Sequence, residues 1–449
     1  MASIVKRKSK WSVIYTCLDE NGVKRQKWET FSNNADAKKR KAQIEFEQST
    51  GIFIAPTAKT LKELLDDYVS IYGINTWALS TYEGHKGLID NYIIPLLGDT
   101  KLDDITPRMM DKFYQSLLKV KSKPRPYQQA KNEYLSARTV KEIHKILRNA
   151  FNQAVKWELM SRNPVANATL PRVASEPRNI WTSETLLHAL ELCDDDLLSL
   201  AINMAFSCSL RMGEMLALTW DCIDISQESI RTDSASIYIN KAMQRVSKQA
   251  LDELDGKGVI TMFPPIFASK TTRLVLKEPK TKTSVRKVFL PRAVAEMLLK
   301  RRDELEELKS IFGDEFKDYN LVFCSTNGTP IEGQVINNKL NKLIAAHDLP
   351  KVVFHSLRHS SVTYKLKLTG GDIKAVQGDT GHAQASMVTE RYAHIIDDDR
   401  KKNAQRMQEA FYSPSTVAEQ TSESDQALLA KLLANPQMAE MLKQLAKSL

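Results

Sequence analysis

Apolar and polar side chains alternate in short runs within residues 4–30, and this alternation predicts β-strands at the start of the chain. Glu20-Asn21-Gly22 lies between two of these runs and is typical of a hairpin turn. Asn34 and Asp36 can cap a Lys-rich and Ala-rich helix over residues 37–48. The pattern therefore predicts a small sheet followed by one helix.

A helical period replaces this alternation in the next part of the chain. Thr60 precedes an amphipathic segment whose apolar positions recur every three to four residues, at Leu61, Leu64, Leu65, Tyr68 and Val69. Ser80-Thr81 can cap a second helix, and Thr106-Pro107 combines an N-cap with a proline at the first helical position. A long helix is expected over residues 137–159, so this region is predicted to be all-helical.

Strands and helices are both predicted after a linker without periodicity at residues 166–180. Helices are expected over residues 183–192, 197–209, 211–220 and 293–308, and strands over residues 236–240, 274–276 and 285–290. Residues 241–269 have no pattern that assigns them. Near the C-terminal end, a Ser-, Thr-, Glu- and Gln-rich segment precedes short amphipathic helices whose apolar stripe requires a partner surface.

These patterns predict a multidomain protein that is mainly α with small β-sheets, as expected for 449 residues. The expected parts are an α+β module over residues 1–55, an all-helical domain over 57–165, a mixed α/β domain over 177–412, and a flexible linker with a helical tail over 413–449.

The net charge of +10 favours a polyanionic partner, such as nucleic acid or an acidic membrane face. Residues 1–50 contain 11 Lys or Arg and 6 Asp or Glu, so about half of the excess lies there. A solvated basic surface explains the charge equally well, so charge alone does not decide between the two.

The five cysteines are odd in number and include no CxxC pair, which argues against a disulfide framework and against a zinc site. A reducing cytoplasm is expected. No apolar run approaches the roughly 18 residues of a membrane span, and the N-terminus lacks the apolar core of a signal peptide. Neither a GxxxxGK[ST] loop nor a carboxylate cluster for two metals is present, so no cofactor is expected and metal-dependent nucleases are disfavoured.

Three distant segments contain residue types that phosphoryl transfer requires. Arg211 and Glu214 are three residues apart and are expected on one face at the start of a helix, although a surface ion pair would show the same spacing. His355 and Arg358 have the same spacing, and His382 follows at a distance. Tyr392 lies ten residues beyond His382, where an isolated tyrosine would normally be a packing residue.

In this order, the segments resemble the tyrosine recombinase or phage integrase family, which includes integrases of phages and conjugative transposons. The positions that match the family pattern are Arg211, Lys280 or Lys282, His355 with Arg358, His382 and Tyr392. Thr380 departs from the family pattern, which usually has Leu there. The resemblance implies an N-terminal arm-site binding domain, a helical core-site binding domain and a catalytic domain.

The chemistry fits these residue types. A DNA phosphodiester is an anion, and Arg211 and Arg358 can hold its nonbridging oxygens in a bidentate manner. A tyrosine has a pKa of about 10, so Tyr392 must lose its proton as it attacks. The resemblance implies that His355 assists this proton transfer and that His382 binds the phosphate. It also implies that a lysine protonates the leaving 5′ oxygen, and either Lys280 or Lys282 can reach.

The sequence therefore predicts a site-specific DNA recombinase that integrates and excises a mobile element or prophage through a 3′ phosphotyrosine, without ATP or metal. The expected partners are double-stranded DNA at core and arm sites, three further protomers in a tetramer on DNA, and accessory proteins that bend DNA or promote excision, with no membrane. A catalytically silent DNA-binding protein and a relaxing topoisomerase are the alternatives. Formation of a covalent adduct excludes the first, and a requirement for a target site excludes the second.

Overall fold

The computed structural model describes residues 2–7, 9–18, 24–49, 59–123, 132–172, 179–265, 271–279, 281–381 and 405–408. The chain divides into two compact units, one formed by Met1–Arg178 with Lys241–Lys280 and the other by Asn179–Asn240 with Thr281–Leu449. The described part is mainly helical and contains three sheets of three strands each. The predicted fold class is therefore confirmed.

The first unit begins with an antiparallel sheet in the order β1-β2-β3, followed by one helix. The bounds are β1 Ser3–Arg7, β2 Lys10–Leu18, β3 Lys24–Phe31 and α1 Asn34–Ser49. Leu18 pairs with Lys24 in the predicted hairpin, whose turn lies outside the described residues. The helix begins earlier than predicted because the Asn33 side chain accepts a hydrogen bond from the Asp36 N–H at 2.8 Å, so Asn33 caps the helix instead of Asn34 or Asp36.

A helical bundle forms the next part of this unit. Its helices are α2 Leu61–Asp67, α3 Ile74–Thr76, α4 Leu79–Leu88, α5 Ile94–Leu97, α6 Pro107–Leu117 and α7 Ala137–Lys156, with π-helical turns at Tyr68–Gly73 and Ile89–Ile93. Thr106 caps α6 ahead of Pro107, as the sequence predicts, and Thr60 and Glu63 form a capping box at the start of the helix that is predicted after Thr60. The prediction that Ser80-Thr81 caps α4 is wrong, because the N-cap is Ala78 and makes no side-chain hydrogen bond.

The second unit begins with α8 Ser183–Glu191, α9 Asp196–Ser207, α10 Met212–Leu216, β4 Ile223–Asp224, α11 Gln227–Arg231 and β5 Ser236–Ile239. Thr182 caps α8, because its side chain accepts a hydrogen bond from the Thr185 N–H. The helix predicted over residues 211–220 is much shorter. The chain leaves α10 because Trp220 N–H donates to Asn320 O and Val322 N–H donates to Leu218 O, both at 3.0 Å, and these bonds replace helical ones.

The residues that the sequence left unassigned form part of an insert, which we define as residues 241–280. Its elements are β6 Ala242–Ser247, α12 Lys248–Glu253, β7 Val259–Met262 and β8 Thr272–Lys277, with the sheet order β6-β8-β7. Five of its residues belong to the same apolar core as the helical bundle: Val246, Ala250, Leu251, Leu254 and Val275. Lys257 Nζ also donates to Asn75 O at 2.7 Å. The insert therefore folds with the helical bundle.

The rest of the second unit contains β9 Arg286–Phe289, α13 Arg292–Phe312, α14 Gly333–Ala346, α15 Phe354–Leu368 and α16 Ile373–Thr380. Strand β9 completes the sheet β4-β5-β9, and α15 and α13 both contact the apolar helix α9. Across the residues that the structure describes, none of the helices combines the length and the apolar character that a membrane crossing requires.

Candidate active site

Arg211 is the N-cap residue of α10, and it meets Glu214 in the third helical position. The Arg211 N–H donates to Glu214 Oε2 at 3.1 Å, and Arg211 Nη1 donates to Oε1 at 2.5 Å. The Arg211 side chain is 36% exposed and the Glu214 side chain only 5%. The spacing of three residues therefore produces a contact with a buried carboxylate, and the alternative of a surface ion pair is wrong for Glu214.

The turn before Arg211 has an uncommon backbone conformation. Ser209 is fully buried and has φ of +54°, in the left-handed region that L-residues other than glycine rarely adopt. Its hydroxyl shares a hydrogen bond of 2.5 Å with the hydroxyl of Ser361 on α15. Since such a conformation persists only where its surroundings hold it, α15 helps to fix the segment that carries Arg211.

Arg358 on α15 is 2% exposed, and its guanidinium joins the other site segments. Nη1 donates to the carbonyl of Ser209, and Nη2 donates to the carbonyl of Thr380 at the end of α16. Nη1 also lies 3.9 Å from Glu214 Oε2. The structure thus brings together the two predicted arginines, which are far apart in the sequence, around the Glu214 carboxylate.

Arg286, which the sequence analysis did not select, is a third arginine on this carboxylate. It is the first residue of β9 and is 8% exposed, and its Nη2 donates to Glu214 Oε2 at 3.0 Å. The signal that marks it is the alternation along β9, in which Arg286 and Val288 are buried while Lys287 and Phe289 are exposed. An arginine on the buried face of a strand must have partners, because an unpaired buried charge is costly.

Opposing effects act on the Glu214 carboxyl. Burial alone would raise its pKa, but the charges of Arg286 and Arg211 and their hydrogen bonds outweigh burial and hold the pKa below its ordinary value of 4.5. Glu214 is therefore ionised at neutral pH. Three guanidinium groups surround this one carboxylate, so the cluster keeps a positive excess that suits a phosphate anion.

His355 and Arg358 both lie on α15, as the spacing predicts, but their surroundings differ. His355 is exposed, and its ring meets the ring of His359 edge-on with the ring centres 4.7 Å apart. Arg358 is buried. The exposed imidazole is thus placed at the start of α15, one helical turn from the arginine.

The remaining predicted site residues lie outside the residues that the structure describes or at the edge of a described stretch. Lys280, His382 and Tyr392 lie outside the described residues, and Lys282 begins a short 3-10 turn, Lys282–Ser284. The described stretch 281–381 ends beside the cluster, because Gly381 ends α16 with φ of +62° and its carbonyl accepts a hydrogen bond from Arg211 Nη2 at 3.4 Å. Residue 382 follows directly.

Two family models match the chain. The phage integrase family model matches residues 266–398, and the model of the N-terminal SAM-like domain of phage integrases matches residues 60–118. The first range contains six of the seven predicted catalytic positions, all except Arg211. The second covers the helical bundle from α2 to α6.

Similar proteins include a XerC-like tyrosine recombinase of Caldanaerobacter subterraneus, 26% identical over 74% of this chain and 77% of that protein. The ICEBs1 integrase of Bacillus subtilis is 24% identical over 73% of this chain and 77% of that protein. Among solved structures, the Tn1549 transposon integrase in complex with a circular intermediate DNA superposes with a TM-score of 0.59 at 18% identity, over 78% of this chain and 99% of that one. The structural match supports the fold. The two family models and these relatives show that the chain contains the catalytic domain and the N-terminal SAM-like domain of the phage integrase family and is a tyrosine recombinase, an enzyme that cleaves and rejoins DNA at specific sites.

Proposed function

We propose that this recombinase cuts DNA by attack of the Tyr392 phenol oxygen on a backbone phosphorus that Arg211 and Arg358 hold. The attack breaks the bond between phosphorus and the 5′ oxygen, joins Tyr392 to the 3′ phosphate end of the cut strand and releases a 5′ hydroxyl. A 5′ hydroxyl from a second strand reverses the step and rejoins the DNA, so no ATP is consumed. The observation that supports this proposal is the cluster of arginines around Glu214, which reaches the carbonyl of Gly381, the residue before His382 in the sequence.

The two proposed phosphate ligands differ in access. Arg211 is about one-third exposed, so a nonbridging oxygen can reach its guanidinium directly. Arg358 is buried and already donates to two carbonyls, so phosphate has less access to it than to Arg211. Arg211 is therefore the primary ligand in this proposal. Its planar fork provides two parallel donors, which a lysine lacks.

Proton transfer completes the proposed mechanism. His355, exposed at the start of α15, accepts the Tyr392 proton, and His382 donates a hydrogen bond to the phosphate. Lys280 or Lys282 protonates the leaving 5′ oxygen, which is too basic to depart as an alkoxide. Glu214 acts on Arg211 and has no contact with DNA in this scheme.

We further propose that the enzyme integrates and excises a mobile element or prophage as a tetramer on DNA, with accessory proteins that bend the DNA or promote excision. The names of two similar proteins, an ICEBs1 integrase and a transposon integrase bound to circular intermediate DNA, favour a mobile element. The proposed setting is the bacterial cytoplasm, at the nucleoid. The proposed parts are arm-site binding by residues 1–55, core-site binding by 57–165, catalysis by 177–412, and exchange of the tail 413–449 between protomers. Within 177–412, the insert 241–280 folds with the helical bundle.

Replacement of Arg211 tests the proposed site. Arg211→Ala removes one charged donor from the transition state and should slow cleavage of a suicide substrate roughly a hundredfold or more, with DNA binding retained. Arg231 is a matched control, since it pairs with Glu228 at the same spacing of three residues but is 74% exposed. Arg231→Ala should cleave at the wild-type rate. Equal rates for Arg211→Ala and wild type would remove Arg211 from the site.

A further inference from the structure

Arg286 uses all three nitrogens of its guanidinium on different parts of the catalytic unit. Nη2 donates to Glu214 Oε2 at 3.0 Å, Nε donates to Asp379 O at 2.9 Å, and Nη1 donates to Ser284 O at 3.0 Å. These acceptors lie on α10, near the end of α16 and in the turn before β9, respectively. One buried side chain therefore connects three segments that are remote in the sequence.

Each of these segments leads directly to a residue that the proposed mechanism uses. Glu214 holds Arg211 through both carboxylate oxygens. Asp379 precedes His382 by three residues, and Ser284 belongs to the 3-10 turn that begins at Lys282. Arg286 is thus connected to the phosphate ligand Arg211 through Glu214, to the end of α16 that precedes His382, and to the turn that begins at the candidate acid Lys282.

The packing around Arg286 leaves little room for movement. A Cβ atom built on Gly381 would lie 2.9 Å from Arg286 Nη1 and 3.1 Å from Thr283 O, closer than such contacts normally occur. The backbone at Gly381 therefore packs tightly against the guanidinium. A lysine at position 286 would keep the charge but could not donate in three fixed coplanar directions.

We propose that Arg286 is a positioning residue of the recombinase. It fixes Glu214, and through Glu214 also Arg211, relative to the end of α16 that precedes His382 and to the turn that begins at Lys282. It touches neither DNA nor the attacking tyrosine. The proposal rests on the proposed function, because it assigns Arg286 a role in the geometry of that same site. Its action is on the rate of the chemical step and not on DNA affinity.

The buried residue Arg301 provides a matched control. It is 6% exposed, lies in the same unit, and also donates to two carbonyls, Val322 O at 3.1 Å and Cys324 O at 3.0 Å, but its partners lie outside the arginine cluster. If Arg286 only stabilises the fold, Arg286→Lys and Arg301→Lys should have similar effects. If it positions the site, the two variants should differ.

The experiment measures single-turnover cleavage of a suicide DNA substrate by the full-length protein over a range of protein concentrations. We expect Arg286→Lys to lower the maximal rate constant roughly tenfold or more, the loss typical of a hydrogen bond to a charged group, while the half-saturating concentration stays within about twofold. Arg301→Lys should keep the wild-type rate constant. Loss of folded protein raises the apparent half-saturating concentration and leaves the maximal rate constant unchanged, so the two effects separate.

A double-mutant cycle with Glu214→Gln tests the route of the effect. If Arg286 acts through Glu214, the double variant should cleave nearly as fast as Glu214→Gln alone, because the second change removes a contact that the first has already weakened. Additive losses, or equal rate constants for Arg286→Lys and Arg301→Lys, would overturn the proposal. Failure of the wild-type protein to form an adduct at Tyr392 would instead overturn the proposed function, and the role of Arg286 with it.

Discussion

At the scale of single residues, Glu214 organises the site, and the sequence reveals only part of its environment. The spacing between Arg211 and Glu214 predicts their contact, because residues three apart meet at a helix start. The contacts of Glu214 with Arg286 and Arg358 connect residues that are 72 and 144 positions away along the chain, so no local pattern predicts them. Tertiary packing alone brings these charges together.

Glu214→Gln should destabilise the catalytic unit by about 3 kcal/mol at pH 7, because it leaves buried guanidinium groups without their carboxylate. The folded-state pKa of Glu214 lies below its ordinary value of 4.5, so the ionised group stabilises the fold at higher pH and loses this contribution as the pH falls through the lowered pKa. The difference between wild type and variant should therefore shrink below about pH 4.

Urea unfolding at pH 7 and at acid pH measures this difference. Glu228→Gln is the control, since Glu228 forms an ion pair with Arg231 that is largely exposed and contributes little. A Glu214→Gln variant as stable as wild type at pH 7, or a difference that grows in acid, would contradict the assigned electrostatics.

At the scale of elements, the sequence predicts helices with strong caps well and fails where tertiary contacts decide. Thr106 caps its helix as predicted, and the helix predicted after Thr60 begins at Leu61, because both signals lie within four residues of the helix start. The short helix α10 was overestimated because pairing of residues 218–220 with residues 320–322 ends it. The insert was unassignable for a related reason, since its apolar residues pack against helices more than 80 positions earlier in the chain.

Leu251→Ala tests whether the insert stabilises the helical bundle. Leu251 is 5% exposed on α12, which contacts α4, and truncation of a buried leucine typically costs about 2 to 5 kcal/mol. We expect faster hydrogen exchange in α4 as well as in the insert. Ile260→Ala is the control, because Ile260 is 50% exposed on β7 and should change stability by less than about 0.5 kcal/mol. An effect of Leu251→Ala confined to the insert would show that the two parts fold separately.

At the scale of the whole molecule, charge alone does not decide between a nucleic-acid partner and a solvated basic surface, but the N-terminal sheet shows where part of the basic charge lies. The strand register puts Arg7, Lys10 and Trp28 on the face away from α1, whose Ala37 and Ile44 pack against Val13 on the other face. The Arg7 guanidinium lies over the ring of Trp28, 4.4 Å from its centre, and Trp28 is 45% exposed. In the proposed arm-site binding module, such an exposed basic sheet face would suit the major groove of DNA.

Combined replacement of Arg7 and Lys10 by alanine should weaken binding to arm-site DNA and reduce the salt dependence of the binding constant by roughly one unit of slope per lost phosphate contact. Cleavage of a short core-site substrate should not change. Lys38→Ala with Lys39→Ala removes the same charge from exposed positions on α1 and should have a smaller effect on arm-site affinity. Equal effects of the two pairs would assign the binding to net charge and not to this face.

The proposed function depends above all on Tyr392 as the nucleophile. The order of the arginine, histidine and tyrosine segments along the chain predicts this role. The most direct measurement mixes the protein with a nicked duplex from the flanks of its encoding element, isolates the covalent protein–DNA complex under denaturing conditions, and maps the modified peptide. Wild type and a Tyr364→Phe control, altered at an exposed tyrosine on α15, should carry DNA on Tyr392. Tyr392→Phe should bind the same DNA and form no adduct. An adduct that persists in Tyr392→Phe, or that maps to another residue in wild type, would contradict the account.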